Sequence, residues 1–343
     1  MFVFIIRRLS FLPLVFFGVT IFIVLLMQVL SPYQRAAAFA QTEMQARNLD
    51  AIIEQYGLDD PWYQQYGRWL NQVRQGNLGY SRTSSEPVLT TLRRRFPPTL
   101  ELALFAILPV IGVGIWLGTA AALNRDKLID QFTRVLSILG WSLPTFVLGI
   151  WLLVIFYGAL GWFEPGRINA QNIISIAGEG SGFERYTGLM TLDALLNGRF
   201  DIFWDALRHL VLPVITLAVV SSAQIMRVMR SALLEILSQD YVRTARAKGL
   251  QESVVNHKHA RRNALIPVIT LSGFVLIGLV NGVVITETIF NYPGLGQWAA
   301  QAAINLDYAA ILGFAVFTAI LVVLANLLVD VLYAVVDPRI RYD

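Results

Sequence analysis

Six stretches without a charged residue, each close to or beyond the length needed to cross a bilayer, constrain this chain more than any other feature. An α-helix rises ~1.5 Å per residue, so about 20 residues cross a hydrocarbon core of ~30 Å. The six stretches are Leu9–Leu30, Leu102–Leu123, Val135–Leu160, Leu210–Met226, Asn263–Thr286 and Tyr308–Val329. The fourth is short, but it continues as helix through Arg227 and Arg230, whose long side chains can reach the interface. The sequence predicts an all-α integral membrane protein with six transmembrane helices.

Composition agrees with this class and excludes others. Charged residues make up 15% of the chain, against about 25% in ordinary globular proteins. The net charge of +4 does not indicate nucleic-acid binding if the arginines lie in short membrane loops. Because the chain has no cysteine, it has no disulfide, thiolate nucleophile or cysteine-bound zinc. A cleaved signal peptide is disfavoured, since the first apolar stretch is about twice the usual 7–15 residues.

Lysine and arginine are distributed unevenly between the two sides that six crossings define. One side comprises residues 1–8, 124–134, 227–262 and 337–343 and carries 15 of them, including all three lysines. The other side is more than twice as long and carries 12. By the positive-inside rule the denser side is cytoplasmic. Both termini are therefore predicted to be cytoplasmic.

The outer segment 31–98 is predicted to contain two short helices, broken at Gly57–Pro61. Four aromatic residues of the second helix fall at the spacing of one helix face. They are Trp62, Tyr63, Tyr66 and Trp69. The stripe indicates either an interfacial helix with aromatics at headgroup depth or a docking surface for an external partner. Pro97 and Pro98 mark the predicted start of the second transmembrane helix.

The cytoplasmic segment Gln239–Asn263 is basic, but it also has the pattern of a helix–turn–helix. Gly249 suits a helix C-cap, and Pro267 marks the predicted beginning of the fifth span. Ala245 and Gly249 are four residues apart, so they would share a helix face that another helix can approach closely. An ordinary positively charged loop is the alternative on charge alone.

Motifs along most of the chain resemble one family. The basic segment reads "QDYVRTARAKGL", then a valine, then "HARRNALIP". Elsewhere stand "YGLDDPWYQQY", "GNLGYS", "RFPPTLEL", "ALLEIL", "TETIFNYPGLG" and "NLLVDVLYAVVDPRIR". In order and spacing these resemble binding-protein-dependent ABC importer permeases of the dipeptide, oligopeptide and nickel class, and most of all the first permease subunit of the dipeptide systems. The chain departs from the family at "SPYQRAAAFAQ", where Pro-Gly-Asp-Pro is usual, which leaves the outer docking region and the substrate open.

The resemblance implies that the basic segment is a coupling helix that docks on an ATPase subunit. The positions that match the family pattern there are Arg243, Thr244, Ala245, Gly249, Val255, His259, Arg262, Asn263 and Pro267. It also implies a type I ABC importer permease fold in three regions. These are an N-terminal transmembrane helix (1–30), an extracytoplasmic segment (31–98) and a core permease domain (99–343) with an outer loop (161–208) and a coupling loop (231–262).

The implied assembly lies in the inner membrane of a bacterium or archaeon. A second, similar permease would complete the translocation path, two ATPase subunits would bind below, and an extracytoplasmic binding protein would deliver the substrate. The partners would use ATP and Mg, and this chain would bind no cofactor. Closure of the ATPases on ATP would move the coupling helices and open the path outward. The substrate class stays open among dipeptides, longer peptides, nickel chelates, glutathione and oligosaccharides.

No catalytic arrangement is evident. The sequence lacks the phosphate-binding G-x-x-x-x-G-K-S/T, so the chain is not itself the ATPase. His257 and His259 are two residues apart on a helix and are poor joint metal ligands. A membrane-embedded enzyme or an ion channel is the alternative class. An enzyme would need paired carboxylates or histidine ligands within the membrane, and a channel would need no loop for docking an ATPase.

Polar residues of the fifth span are candidates for lining the substrate path. Asn281, Thr286 and Glu287 are predicted to do so, with packing between helices as the alternative. Glu101 and Asp330 are better explained as carboxylates at the interface or paired within the bundle.

Overall fold

The computed structural model describes residues 10–39, 47–178, 182–280 and 283–336. Within these ranges the chain is helical apart from loops and one short antiparallel hairpin. The predicted all-α class is confirmed.

The helices and strands are numbered here along the chain. In chain order they are α1 (Phe11–Met27), α2 (Pro32–Phe39), α3 (Leu49–Tyr56), α4 (Trp62–Arg74), β1 (Tyr80–Ser81), β2 (Glu86–Pro87), α5 (Val88–Leu123), α6 (Leu128–Ser142), α7 (Thr145–Leu152), α8 (Ala170–Ala177), α9 (Met190–Leu196), α10 (Phe200–Leu237), α11 (Asp240–Ala247), α12 (Glu252–Val254), α13 (Arg262–Val280), α14 (Val284–Ile289), α15 (Leu295–Ile304) and α16 (Tyr308–Val336). Two π-helical segments, Leu153–Ala159 and Val255–Arg261, extend α7 and join α12 to α13.

Two compact units divide the described residues. The first unit contains the residues up to Pro98 together with Pro293–Leu327. The second contains Thr99–Tyr292 and the residues from Leu328 onward. Because each unit is built from segments that are distant in sequence, neither corresponds to a single stretch of chain.

Within the described ranges, four helices are long and apolar enough to cross a membrane. They are α5, α10, the continuous helix Glu252–Val280, and α16 over Tyr308–Leu327. The first predicted span is the shorter apolar helix Pro13–Met27 within α1. Most described residues of each of the six apolar stretches are helical, with breaks at Gln28–Leu30, Leu143–Pro144 and Val283. By length and composition the described helices provide four spans, or five if the bent pair in the third stretch is one span.

The third predicted span is not one straight helix, which corrects the sequence-based expectation. Its two halves, α6 and Thr145–Ala159, meet at an angle of 99°. Proline disfavours the helical conformation in the residue before it. Leu143 accordingly has an extended ψ of 120°, and Pro144 precedes the first residue of α7. Hydropathy alone does not register such a break.

The second span also differs, because α5 begins at Val88 and not at the proline pair. Pro97 and Pro98 lie inside the helix, where each removes one backbone hydrogen bond. The extra turns are held by packing in the first unit, where Val88 and Leu92 are buried in one cluster with Leu295. Tertiary packing therefore outweighs the local signal for a helix start.

The two predicted helices of the outer segment are present as α3 and α4, and they are separated at Gly57–Pro61 as expected. The four aromatic residues of the stripe fall into two pairs with different surroundings. Tyr66 is buried, with its hydroxyl 2.8 Å from Thr20 Oγ1 on α1, and the Trp69 ring stacks on Phe16. The remaining two aromatics are exposed. Half of the stripe therefore serves packing within the first unit.

The core of the second unit forms around α10, against which α5, α6 and α13 pack. A small residue brings α5 close to α10. A Cβ added at Gly118 would lie 2.7 Å from the backbone oxygen of Met226 and 2.7 Å from Met229 Cβ. Glycine thus allows the two backbones to approach more closely than any side chain would permit.

Candidate functional site

The basic segment forms a helical hairpin, as the sequence predicts. Helix α11 is followed by a turn at Lys248–Gln251, and a second helical stretch begins at Glu252. Arg246 Nε donates to Glu252 Oε1 at 2.8 Å, so an ion pair links the two arms across the turn.

Glycine ends the first arm, also as predicted. Gly249 has a φ of +75°, the left-handed conformation that favours glycine. Its N–H donates to the Arg246 carbonyl at 2.9 Å, and the Leu250 N–H donates to the Ala245 carbonyl at 3.4 Å. These two bonds satisfy carbonyls that the end of a helix leaves without partners.

One prediction about this turn is wrong. Ala245 and Gly249 do not share a helix face, because α11 ends at Ala247 and the backbone reverses before Gly249. Ala245 is buried, whereas Gly249 is exposed, and nothing lies within 4 Å of a Cβ built on it.

The inner face of the hairpin is apolar. Val242, Ala245 and Val255 are buried together and pack against Ile236 and Leu237 at the end of α10. This small core holds α11 against the helix that precedes it. The hairpin therefore has a packed apolar core of its own. An ordinary positively charged loop, the alternative on charge alone, would not need one.

The outer face carries most of the residues that the family pattern singles out. Arg243, Thr244, Gly249, Arg262, Asn263 and Pro267 are exposed, and His259 is half-buried. Asn263 Nδ2 donates to Tyr241 Oη at 2.9 Å and to the His259 carbonyl at 3.1 Å, which fixes the base of the second arm. Tyr241 is a member of this surface that the sequence analysis missed.

The second arm continues into the membrane helix without a break. Glu252–Val280 is one helix, and Pro267 lies inside it and not at its beginning as predicted. Pro267 cannot donate a backbone hydrogen bond. The π-helical segment Val255–Arg261 lies directly upstream, and such segments are frequent at functional positions.

Two of the three candidates for lining a path are buried within the described chain. Asn281 lies outside the described residues. Thr286 and Glu287 lie on the short helix α14 and are 2% and 0% exposed. Thr99 Oγ1 donates to Glu287 Oε1 at 2.8 Å. In the described chain these two residues therefore take part in packing, the alternative to a path-lining role, because a buried carboxylate needs hydrogen-bond donors around it.

A buried polar cluster around Glu101 is the feature that the sequence analysis did not foresee in full. Glu101 is 1% exposed. Arg167 donates to its Oε2 from Nε at 3.0 Å and from Nη2 at 2.6 Å. Thr191 donates to Oε1 from its N–H at 2.7 Å and its Oγ1 at 2.8 Å, and Tyr292 Oη donates to Oε2 at 3.0 Å.

This cluster confirms the interpretation that Glu101 is paired within the protein. Burial and the neighbouring Glu101 raise the pKa of Tyr292 well above its ordinary value, so its hydroxyl stays protonated and donates. The partners stand 66, 90 and 191 positions from Glu101. No local motif links them, so only the fold reveals the cluster.

A metal centre was not predicted. In the parts of the chain that the structure describes, no three histidine, aspartate or glutamate side chains converge as a metal site would require.

Comparison with known proteins places these features in one family. The model of the family described as "Binding-protein-dependent transport system inner membrane component" matches residues 114–342. The model of the corresponding N-terminal region matches residues 1–103. Together the two models cover nearly the whole chain.

Curated relatives align over most of their length. The chain is 40% identical to the Di/tripeptide transport system permease protein DppB of Pseudomonas aeruginosa (strain UCBPP-PA14), over 99% of both chains. It is 43% identical to the Probable D,D-dipeptide transport system permease protein DdpB of Escherichia coli (strain K12), over 86% of both. It is 35% identical to the Oligopeptide transport system permease protein AppB of Bacillus subtilis (strain 168), over 99% of both.

A solved structure shares the fold. An inward-facing structure of the MetNI methionine ABC transporter matches with a TM-score of 0.50 at 18% identity, over 74% of this chain and 99% of that one. This likeness confirms the type I permease fold. The chain therefore belongs to the binding-protein-dependent transport system inner membrane component family and is a membrane permease subunit of an ABC importer, in which ATP hydrolysis resides in separate subunits.

Proposed function

We propose that this chain and a second, similar permease enclose a path for di- or oligopeptides across the inner membrane. The names of three relatives support the substrate class, since they specify di/tripeptide, D,D-dipeptide and oligopeptide transport. Two ATPase subunits bind on the cytoplasmic side and use ATP and Mg, and an extracytoplasmic binding protein delivers the peptide. This chain itself holds no cofactor.

One observation carries the proposal: the ordered hairpin that begins at α11 presents an exposed surface and continues into the membrane helix Glu252–Val280. A surface that binds an ATPase at this position can pass a movement directly to the transmembrane segment. Binding of ATP would favour the arrangement in which the path faces outward, and hydrolysis would restore the other arrangement.

The residues of the hairpin divide into two roles under this proposal. Ala245 and Val255 hold the hairpin together from inside, and Asn263 fixes its base. The members on the outer face, which are exposed or half-buried, form the contact with the ATPase. They are Arg243, Thr244, Gly249, His259, Arg262 and Pro267. The path-lining role of Asn281, Thr286 and Glu287 stays a proposal, and the burial of Thr286 and Glu287 in this chain favours packing for those two.

Substitution of Gly249 tests the coupling role, provided that backbone strain is separated from contact. Gly249→Leu places a bulky side chain at a φ of +75°, which costs about 1–2 kcal/mol whatever the partner does. Gly249→Asn adds a side chain that tolerates this conformation. Because a close contact excludes any side chain, we expect both variants to lose the ATPases or to uncouple hydrolysis from uptake.

Co-purification of the ATPase subunits and peptide uptake in the same membranes provide the measurement. Normal uptake by Gly249→Asn with loss only in Gly249→Leu would show that the turn conformation matters and that the close contact does not exist. Normal uptake by both variants would contradict the coupling role itself.

The substrate class needs a separate experiment. The complete importer with its binding protein, reconstituted in vesicles, should hydrolyse ATP faster when dipeptides or short oligopeptides are added. Uptake should cease without ATP, which an ion channel would not require. Stimulation by a nickel chelate, glutathione or an oligosaccharide, but not by peptides, would refute the proposed substrate.

A further inference from the structure

The first unit contains a cavity of about 560 Å³. Helices α1, α3 and α4, the β-hairpin and the beginning of α16 enclose it. It lies beside Val24–Gln28 at the end of α1 and beside Asp307–Leu312 at the beginning of α16. Both are ends of apolar helices, and the ends of helices that cross a bilayer lie near its interface. Its volume is in the range of pockets that hold small ligands.

Beside this cavity lies a buried cation, Arg35, that contacts no carboxylate among the residues that the structure describes. Arg35 lines the cavity and is 6% exposed. Its Nη1 donates to Gln65 Oε1 and its Nη2 to the Leu58 carbonyl, both at 2.9 Å, while its Nε has no partner. Among the residues that the structure describes, no carboxylate lies within 4.0 Å of the guanidinium, and Asp59 acts on it only from farther away.

Such an arrangement is costly without a further partner. A guanidinium has five N–H donors and stays charged in proteins, whereas two of these donors are used here. Burial lowers the pKa of Arg35, which reflects the cost of placing its charge there. Buried charges are ordinarily paired, so an unpaired one points to an anion.

The other charges of the cavity do not supply that anion. Arg68 is paired with Asp60 at 2.6 Å. Asp307 accepts from Ser81 Oγ at 2.7 Å and from the Thr83 N–H at 2.8 Å. Asp307 keeps its own negative charge, because both donors are neutral, but neither donor is Arg35. The lining contains three arginines, Arg35, Arg68 and Arg82, and one aspartate, Asp307, so its net charge is positive.

The rest of the lining is suited to a molecule with an apolar part. Val24, Met27, Leu78 and Leu312 contribute apolar surface, and Trp69 has its indole Nε1 buried without a hydrogen-bond partner. Tryptophan is enriched at the level of lipid headgroups. A small hydrated anion would leave this apolar surface unused.

We propose that the cavity binds an anionic phospholipid, with the phosphate near Arg35 and the adjoining acyl segment along α1 and the beginning of α16. This lipid site shares no residue with the helical hairpin that begins at α11 or with the candidates for lining the path. A free anion shares the charge chemistry but not the apolar surface, so the two sources can be distinguished by experiment.

Native mass spectrometry of the purified full-length chain tests the proposal. Phosphatidylglycerol, phosphatidylcholine with the same acyl chains, and inorganic phosphate are added separately. We expect retention of phosphatidylglycerol at a concentration roughly tenfold lower than phosphatidylcholine, as one charge-assisted contact would give. Inorganic phosphate should neither bind detectably nor displace the lipid.

Two exposed glutamines offer a matched pair of variants. Gln72 lines the cavity and Gln75 does not. Gln72→Glu places a negative charge at the cavity and should weaken retention of phosphatidylglycerol about tenfold, whereas Gln75→Glu should leave it unchanged. Arg35→Gln should abolish the preference for the anionic lipid, and Arg74→Gln, an exposed arginine off the cavity, should not.

Because Arg35→Gln could disturb folding, the glutamine pair decides the question. Equal retention of the two lipids by the native chain would overturn the proposal. Equal effects of Gln72→Glu and Gln75→Glu would also overturn it. Displacement of phosphatidylglycerol by inorganic phosphate would show a site for a free anion instead of a lipid.

Discussion

Glu101 is a buried carboxylate in the interior of the second unit. The hydrogen bonds that it accepts determine how much its burial costs in stability. Both carboxylate oxygens receive donors, and Arg167 supplies the opposite charge from two nitrogens. A complete network of this kind can be close to neutral for stability, whereas an incomplete one is expensive. Removal of one partner should therefore lower the stability by more than the intact pair adds to it.

We predict that Glu101→Gln lowers the free energy of unfolding by about 3–5 kcal/mol, because it leaves Arg167 buried without its counter-charge. Tyr292→Phe, which removes one donor to the same carboxylate, should cost about 1.5–3 kcal/mol. Unfolding of the purified protein in mild detergent measures both. Asp201→Asn is the control, since it breaks an exposed pair with Arg199 and should have almost no effect. A similar small effect of Glu101→Gln would mean that the charge is not needed in the cluster.

The close packing of α5 on α10 depends on the absence of a side chain at Gly118. Gly112 lies on the same helix, but nothing is within 4 Å of a Cβ built there. The two glycines lie on the same helix, but only Gly118 has atoms of α10 close to the position of a Cβ.

Gly118→Ala is expected to destabilise the protein by about 1–3 kcal/mol, because the new methyl group meets the backbone of α10. Gly112→Ala should be neutral or stabilise by up to about 1 kcal/mol, the gain in helix propensity. Thermal unfolding of the two variants in detergent provides the comparison. If they shifted the unfolding temperature equally, close packing of α5 on α10 would not be what Gly118 provides.

The sequence predicted those elements whose signals are local. The break at Gly57–Pro61 and the turn at Gly249 were both foreseen, because glycine and proline act on their own backbone. The bend before Pro144 was not predicted, because the hydropathy of an apolar stretch is the same whether its helix is straight or broken. The early beginning of α5 was missed too, because Val88 is held by residues more than 200 positions away. The Glu101 cluster was not predicted either, because its members are far apart in the sequence.

For the whole molecule, the distribution of lysine and arginine predicts which face is cytoplasmic. The chain has no cysteine, so single cysteines can be introduced without background labelling. Asn71 on α4 and Ser253 on the hairpin are both exposed. We expect Asn71→Cys in intact cells to react with a membrane-impermeant thiol reagent and Ser253→Cys to react only after permeabilisation. The opposite pattern would invert the orientation and remove the hairpin from the reach of a cytoplasmic ATPase.

The unbroken helix Glu252–Val280 has a mechanical consequence. Its 29 residues span about 44 Å at ~1.5 Å per residue. As a stiff lever pivoting at one end, it would convert a tilt of about 10° into a displacement of about 8 Å at the other end, given that length. This exceeds the ~4.8 Å that separates neighbouring extended backbones. A small rotation imposed on the hairpin would therefore move the far end of the helix by more than the distance between two neighbouring strands.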